Sequence, residues 1–198
     1  MSPASGAAPG PRESRLRTRG VPVPPAERRC RSRSAARVLV LAADSVLLLR
    51  DSDPGCPGSG WYVLPGGGID PGEQVLAAAV RELGEETGRR PGPEELQGPL
   101  ARRRVWHGYS DQVLVQTEQI FLWQAPERFE LDTSGHTLDE RLCITGYGWW
   151  LLDGLPGDAP VWPDLTELLP ALADPRRWPL ELGDVEESTV PLALGYRP

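Results

Sequence analysis

Residues 67–89, GGIDPGEQVLAAAVRELGEETGR, leave the backbone few options. Glycines open the stretch. Asp70 is a good N-cap, Pro71 suits a first helical position, and Glu73 three residues after the cap completes a capping box. Residues 72–87 are strong helix formers apart from Gly84 and two valines, and Gly88 is placed to end the helix. The pattern predicts a tight glycine loop feeding a helix that runs from Pro71 to Thr87.

That helix breaks rules that a purely structural helix keeps. Glu82, Glu85 and Glu86 stand at i, i+3 and i+4, so their carboxylates crowd one face and repel. They also lie in the last two turns, where the helix dipole disfavours anions. Local violations that point the same way mark a site. A cluster of carboxylates calls for a hard divalent cation, Mg²⁺ or Mn²⁺. The competing reading is an ordinary solvated acidic face.

Gly67, Glu73 and the run Arg81-Glu82-Leu83-Gly84-Glu85-Glu86-Thr87-Gly88 stand at the spacing of the Nudix box, and the chain resembles the Nudix hydrolases. The one departure is Arg89, where that family usually carries an aliphatic residue. The resemblance implies an α/β fold, an α/β/α sandwich around a mixed β-sheet. It implies that the Gly67 carbonyl with Glu82, Glu85 and Glu86 holds Mg²⁺ or Mn²⁺, that Arg81 orients the glutamates, and that Glu73 fixes loop and helix. It also implies a further glutamate outside the box, as metal ligand or general base. Glu118 is the first candidate and Glu140 the second.

The rest of the chain frames this stretch. The net charge is −7, but residues 1–36 carry +6 and residues 37–198 carry −13. An acidic body argues against DNA binding by the domain. Residues 1–36 are rich in Pro, Gly, Ser and Arg, so they read as a disordered basic segment; a basic arm touching RNA or membrane is the alternative. No apolar run approaches bilayer length. Cys30, Cys56 and Cys143 are odd in number and widely spaced, which points to a reducing cytoplasm and no zinc site.

Residues 37–173 then read as one domain. Residues 37–43 and 45–50 form an antiparallel pair or one bent strand, 61–64 a short strand, and 100–109 and 113–124 a hairpin. Trp61 reads as a buried strand aromatic. Arg102 and Arg104 share a strand face that Arg103 does not. One arginine of this group is a candidate phosphate clamp, and Arg104 is carried forward in that role; the alternative is solvent-facing arginines on an edge strand. Glu118 lies mid-strand among apolar residues and needs a partner. Residues 128–145 form a long acidic loop with His136 and Glu140. His107 and His136 lack ligand spacing and read as structural. Trp149 and Trp150 must face opposite sides of a strand. Residues 163–173 form a helix that Pro170 kinks or shortens. Residues 174–198 read as an ill-ordered Pro- and acid-rich tail.

The combined expectation is metal-dependent hydrolysis of a nucleoside diphosphate linked to a further group X. The alternative is a non-catalytic nucleotide-binding regulator of the same fold. The partner is a nucleotide, with no DNA or membrane involved, and exposed strand edges fit a homodimer. The subfamily signatures of ADP-ribose, NADH and coenzyme A pyrophosphatases are absent, so the X group stays open.

Overall fold

A computed structural model of the chain describes residues 20–192. The expectation of disorder for residues 1–19, and the final six positions of the expected tail, lie outside them. Among the described residues one mixed sheet is built from β1 (Arg29–Ala42), β2 (Ser45–Asp51), β3 (Trp61–Val63), β4 (Gly66–Gly68), β5 (Leu96–Gly108), β6 (Gln112–Gln124), β7 (Gly146–Leu151), β8 (Val161–Trp162) and β9 (Leu180–Glu186). Among the described residues three α-helices accompany it: α1 (Val75–Thr87), α2 (Leu138–Cys143) and α3 (Leu165–Ala171). The spatial order is β8-β3-β2-β1-β6-β5-β9, with β4 also paired to β1 and β7 to β2.

Strand β1 is the centre. Its partner β6 runs parallel to it from Arg29↔Gln112 to Leu41↔Gln124. Its second half is apolar on both faces because both are covered. Val38, Val40 and Ala42 pack with Leu47 against Ala78, Ala79 and Leu83 of α1. Leu39 and Leu41 join Val46 and Leu48 against Leu165, Leu168 and Ala171 of α3. This is the expected sandwich. Trp149 and Trp150 divide as alternation requires. Trp150 lies edge-on to Tyr62 at 4.8 Å, and Trp149 meets Phe129 at 5.3 Å in the other cluster. Trp61 is buried. Pro170 sits in the last turn of α3, which ends one residue later. No described helix is long and apolar enough to cross a membrane.

Three boundaries differ from the sequence reading. First, α1 begins at Val75, not Pro71, and its N-cap Gln74 makes no side-chain cap bond. Gly72 adopts φ 80°, a left-handed conformation that interrupts any helix started at Pro71. The Glu73 carboxylate does accept from the Asp70 N–H at 2.9 Å, but the bond closes a turn rather than a helix. Second, residues 29–36 are not disordered: they are the first half of β1, exposed from Arg29 to Ser34. A strand whose faces meet water carries no apolar alternation, so its sequence did not announce it. Third, the tail contains β9, which pairs in parallel with β5 at Ala101↔Leu180 and Val105↔Val185.

Candidate active site

The glycine loop and α1 meet as the box spacing requires. Strand β4 lies antiparallel on β1, with Gly66, Gly67 and Gly68 opposite Arg37, Ala36 and Ala35. Gly67 leaves no room for a side chain, because a Cβ there would lie 2.6 Å from Glu82 Oε2. Loop backbone and carboxylate are therefore in direct contact. The Gly66 N–H donates to Glu86 Oε2 at 2.7 Å, which fixes that side chain under the loop.

Arg81 organises the rest. Its Nε and Nη2 donate to the two oxygens of Glu73 at 2.8 and 2.9 Å. Nη1 reaches Glu82 Oε1 at 2.6 Å and Glu85 Oε2 at 3.2 Å, and Nη2 also reaches the Gly68 carbonyl at 2.9 Å. One guanidinium thus ties loop, turn and two carboxylates together, and its bonds to Glu73, with the charges of Glu82 and Glu85, push its pKa up.

Glu140 arrives from the other side. The chain before it is docked on the C-terminal carbonyls of α1: His136 Nε2 bonds the Glu86 carbonyl at 3.0 Å, and the Asp132 N–H bonds the Thr87 carbonyl at 3.1 Å. Thr137 then caps α2 in a capping box with Glu140. One carboxylate oxygen from each of Glu82, Glu85 and Glu140 lies within 4.8 Å of the others. An oxygen-only set of this density suits Mg²⁺ or Mn²⁺. The electrostatics agree. Burial raises the pKa of Glu82 against the pull of Arg81, with Glu85 and Glu140 adding to the rise. Burial, then the charges of Glu82 and Glu140, push Glu86 well above the ordinary carboxylate range.

These raised values have a testable consequence. A carboxyl that titrates higher in the fold than in the unfolded chain lowers stability once it is ionised, so the cation-free protein weakens as pH rises through that titration. A divalent cation binds the ionised forms and reverses the loss. Mg²⁺ or Mn²⁺ should therefore raise Tm, and raise it more at high pH than at low pH. Thermal scans with and without chelator at high and low pH check this.

The remaining candidates fall elsewhere. Glu118 is fully buried, with Oε1 accepting from Arg37 Nε at 2.9 Å and Oε2 from Arg103 Nε at 2.6 Å. Burial alone would raise its pKa, but Arg37 and Arg103 outweigh that and hold it at about 2. A carboxylate locked between two guanidinia is a poor proton acceptor, and it is not among the three that converge. Arg104 is exposed and stacks on Trp106 at 5.0 Å. The arginine that enters the interior is Arg103, which pairs with both Glu118 and Glu187. Sequence reasoning did not single out Arg37 or Glu187, and from the arginine run it carried forward Arg104, which lies on the opposite strand face from the buried Arg103. Beside this network lies a cleft of about 600 Å³, lined in part by Arg103, Trp162, Asp164, Leu182 and Glu187.

The glycine loop, the arginine-tied carboxylates and the two-faced sheet define a class. The chain belongs to the NUDIX domain family, whose model matches residues 31–172. The human protein 8-oxo-dGDP phosphatase NUDT18 is 38% identical over 86 residues, which are 42% of this chain and 26% of that protein. The chain therefore spans about a quarter of the length of that curated relative. A MutT NUDIX hydrolase from Burkholderia pseudomallei is 24% identical, covers 72% of this chain and 97% of its own, and has a TM-score of 0.44. A NUDIX hydrolase from Nitrosomonas europaea is 14% identical, covers 78% of this chain and 79% of its own, and has a TM-score of 0.45.

Proposed function

We propose that this chain is a Mg²⁺- or Mn²⁺-dependent pyrophosphohydrolase acting on a nucleoside diphosphate linked to a further group X. The observation that carries the reading is the convergence of Glu82, Glu85 and Glu140 from two elements, beside the backbone of Gly67. Glu82, Glu85, Glu86 and Glu140, with the Gly67 carbonyl, would hold the cation. Bound there, it would neutralise phosphate charge and make a nearby water more acidic. Arg81 keeps Glu82 and Glu85 aimed, and the Gly66 N–H keeps Glu86 in place. The proton acceptor is one of the two partly exposed carboxylates, Glu85 or Glu140. The cleft at Arg103 and Trp162 has the size and the aromatic wall to take a nucleoside.

The test is a panel of 8-oxo-dGDP, nucleoside triphosphates, dinucleoside polyphosphates and nucleotide sugars, scored by phosphate or pyrophosphate release. The expected result is turnover of at least one member that chelator abolishes and Mg²⁺ or Mn²⁺ restores. Tight nucleotide binding with no cation requirement and no turnover would favour the regulatory reading instead.

A further inference from the structure

The buried ion network reaches the carboxylate site through one guanidinium. Arg37, Arg103, Glu118 and Glu187 are 8%, 5%, 0% and 4% exposed, and their formal charges cancel. Glu118 accepts from both arginines, and Glu187 takes both ends of the Arg103 fork. The Nη1 of Arg37 then donates to the Leu64 carbonyl at 2.9 Å and the Gly66 carbonyl at 3.3 Å. Gly66 is the residue whose N–H holds Glu86. A continuous line of hydrogen bonds thus runs from Glu187 through Arg103, Glu118, Arg37 and Gly66 to Glu86.

Glu187 follows β9 and lies outside the stretch matched by the family model. Its backbone is firmly held. Its N–H donates to the Trp106 carbonyl at 2.9 Å, and its own carbonyl lies 2.9 Å from His107 Nδ1. Burial lowers the His107 pKa to about 3, so the ring is neutral. The network then assigns the proton to Nδ1, facing that carbonyl, while Nε2 accepts from Gln116 Nε2 at 3.0 Å.

We propose that Glu187 is a positioning residue for the carboxylate site, supplying the second anion without which Arg103 would draw Glu118 away from Arg37. The physical reason is charge balance. Two guanidinia buried against a single carboxylate compete for its two oxygens, and an unpaired buried charge is costly enough to force rearrangement. With Glu187 present, Arg103 has its own partner. Arg37 then keeps Glu118 and stays pinned to the glycine loop. The inference rests on the reading of this site as cation-binding.

The experiment compares Glu187→Gln with the double variant Arg103→Gln, Glu187→Gln, and with Leu168→Ala as a core destabiliser that makes none of the bonds in this line. Two readouts are taken on cation-free, substrate-free protein and on Mn²⁺ titration. The first is the ¹⁵N–¹H position of the Gly66 amide, which reports its bond to the Glu86 carboxylate. The second is the Mn²⁺ Kd by electron paramagnetic resonance. In Glu187→Gln the Gly66 amide proton should move upfield and the Mn²⁺ Kd should rise about tenfold, the scale of lost support around a metal ligand. The neutral double variant should recover both readouts, and Leu168→Ala should move neither. If Glu187→Gln leaves the Gly66 amide in place, or if Leu168→Ala shifts it equally, the proposal fails. If Glu187→Gln does not fold, recovery in the double variant decides alone. Absence of Mn²⁺ binding in the unmodified protein would instead overturn the cation-site reading, while the amide readout still judges the network.

Discussion

Glu86→Gln should lower kcat by roughly two to four orders of magnitude, the range for removing a group that acts at the reacting centre. The same change should raise Tm of the cation-free protein. The two signs have one cause. Glu86 is 7% exposed, and burial together with Glu82 and Glu140 makes its charge expensive to hold. Glutamine keeps the shape and an oxygen for the Gly66 N–H without that charge. A site that tolerates costly ionisation is organised for a cation, so stability and activity should move in opposite directions. Calorimetry with chelator present, beside turnover of the best panel substrate, checks both. A drop in Tm together with unchanged turnover would remove Glu86 from the site.

Glu118→Ala should cost about 3–5 kcal/mol of stability, roughly 10 °C in Tm, because it removes the carboxylate that the buried guanidinia of Arg37 and Arg103 both bond. This result separates two roles. A carboxylate whose task is to bind a cation destabilises the empty protein, and removing it should leave Tm unchanged or higher. A carboxylate that neutralises Arg37 and Arg103 does the reverse. The pH dependence follows the same logic. Glu118 titrates at about 2 in the fold against an ordinary 4.5. Its contribution is therefore complete above about pH 5 and fades as pH falls toward about 2, and amounts to about 3 kcal/mol. Acid unfolding of the alanine variant should accordingly be less steep across that window. Unchanged Tm with lost Mn²⁺ binding would restore Glu118 to the metal shell.

The part of this molecule that its sequence disclosed is the part whose chemistry is local. Arg81, Glu82, Glu85 and Glu86 sit within two turns, so helical spacing alone put them on one face. Glu73 is near enough for the capping pattern to place it, though Gly72 turned that cap into a separate turn. What stayed hidden depends on pairing across long separations. The exposed half of β1 exists because β6 offers it a parallel edge, not because Arg29, Arg31 and Arg33 favour a strand. Glu140 reaches the site because His136 and Asp132 bond the end of α1, and no local pattern encodes that docking. Arg103 and Glu187 are 84 residues apart, in an arginine run and an acidic tail that each looked solvated.

Strand β9 also bears on how the protein should be produced. It covers the hydrogen-bonding edge of β5 from Ala101 to Trp106. Expression limits drawn at residue 172, where the family match stops, would bare that ladder of amide and carbonyl groups along a strand with buried apolar neighbours. Such a rim invites sheet-to-sheet association between copies. A trimmed product should thus precipitate or self-associate where the longer chain stays dispersed, a difference that light scattering would register before any assay is attempted.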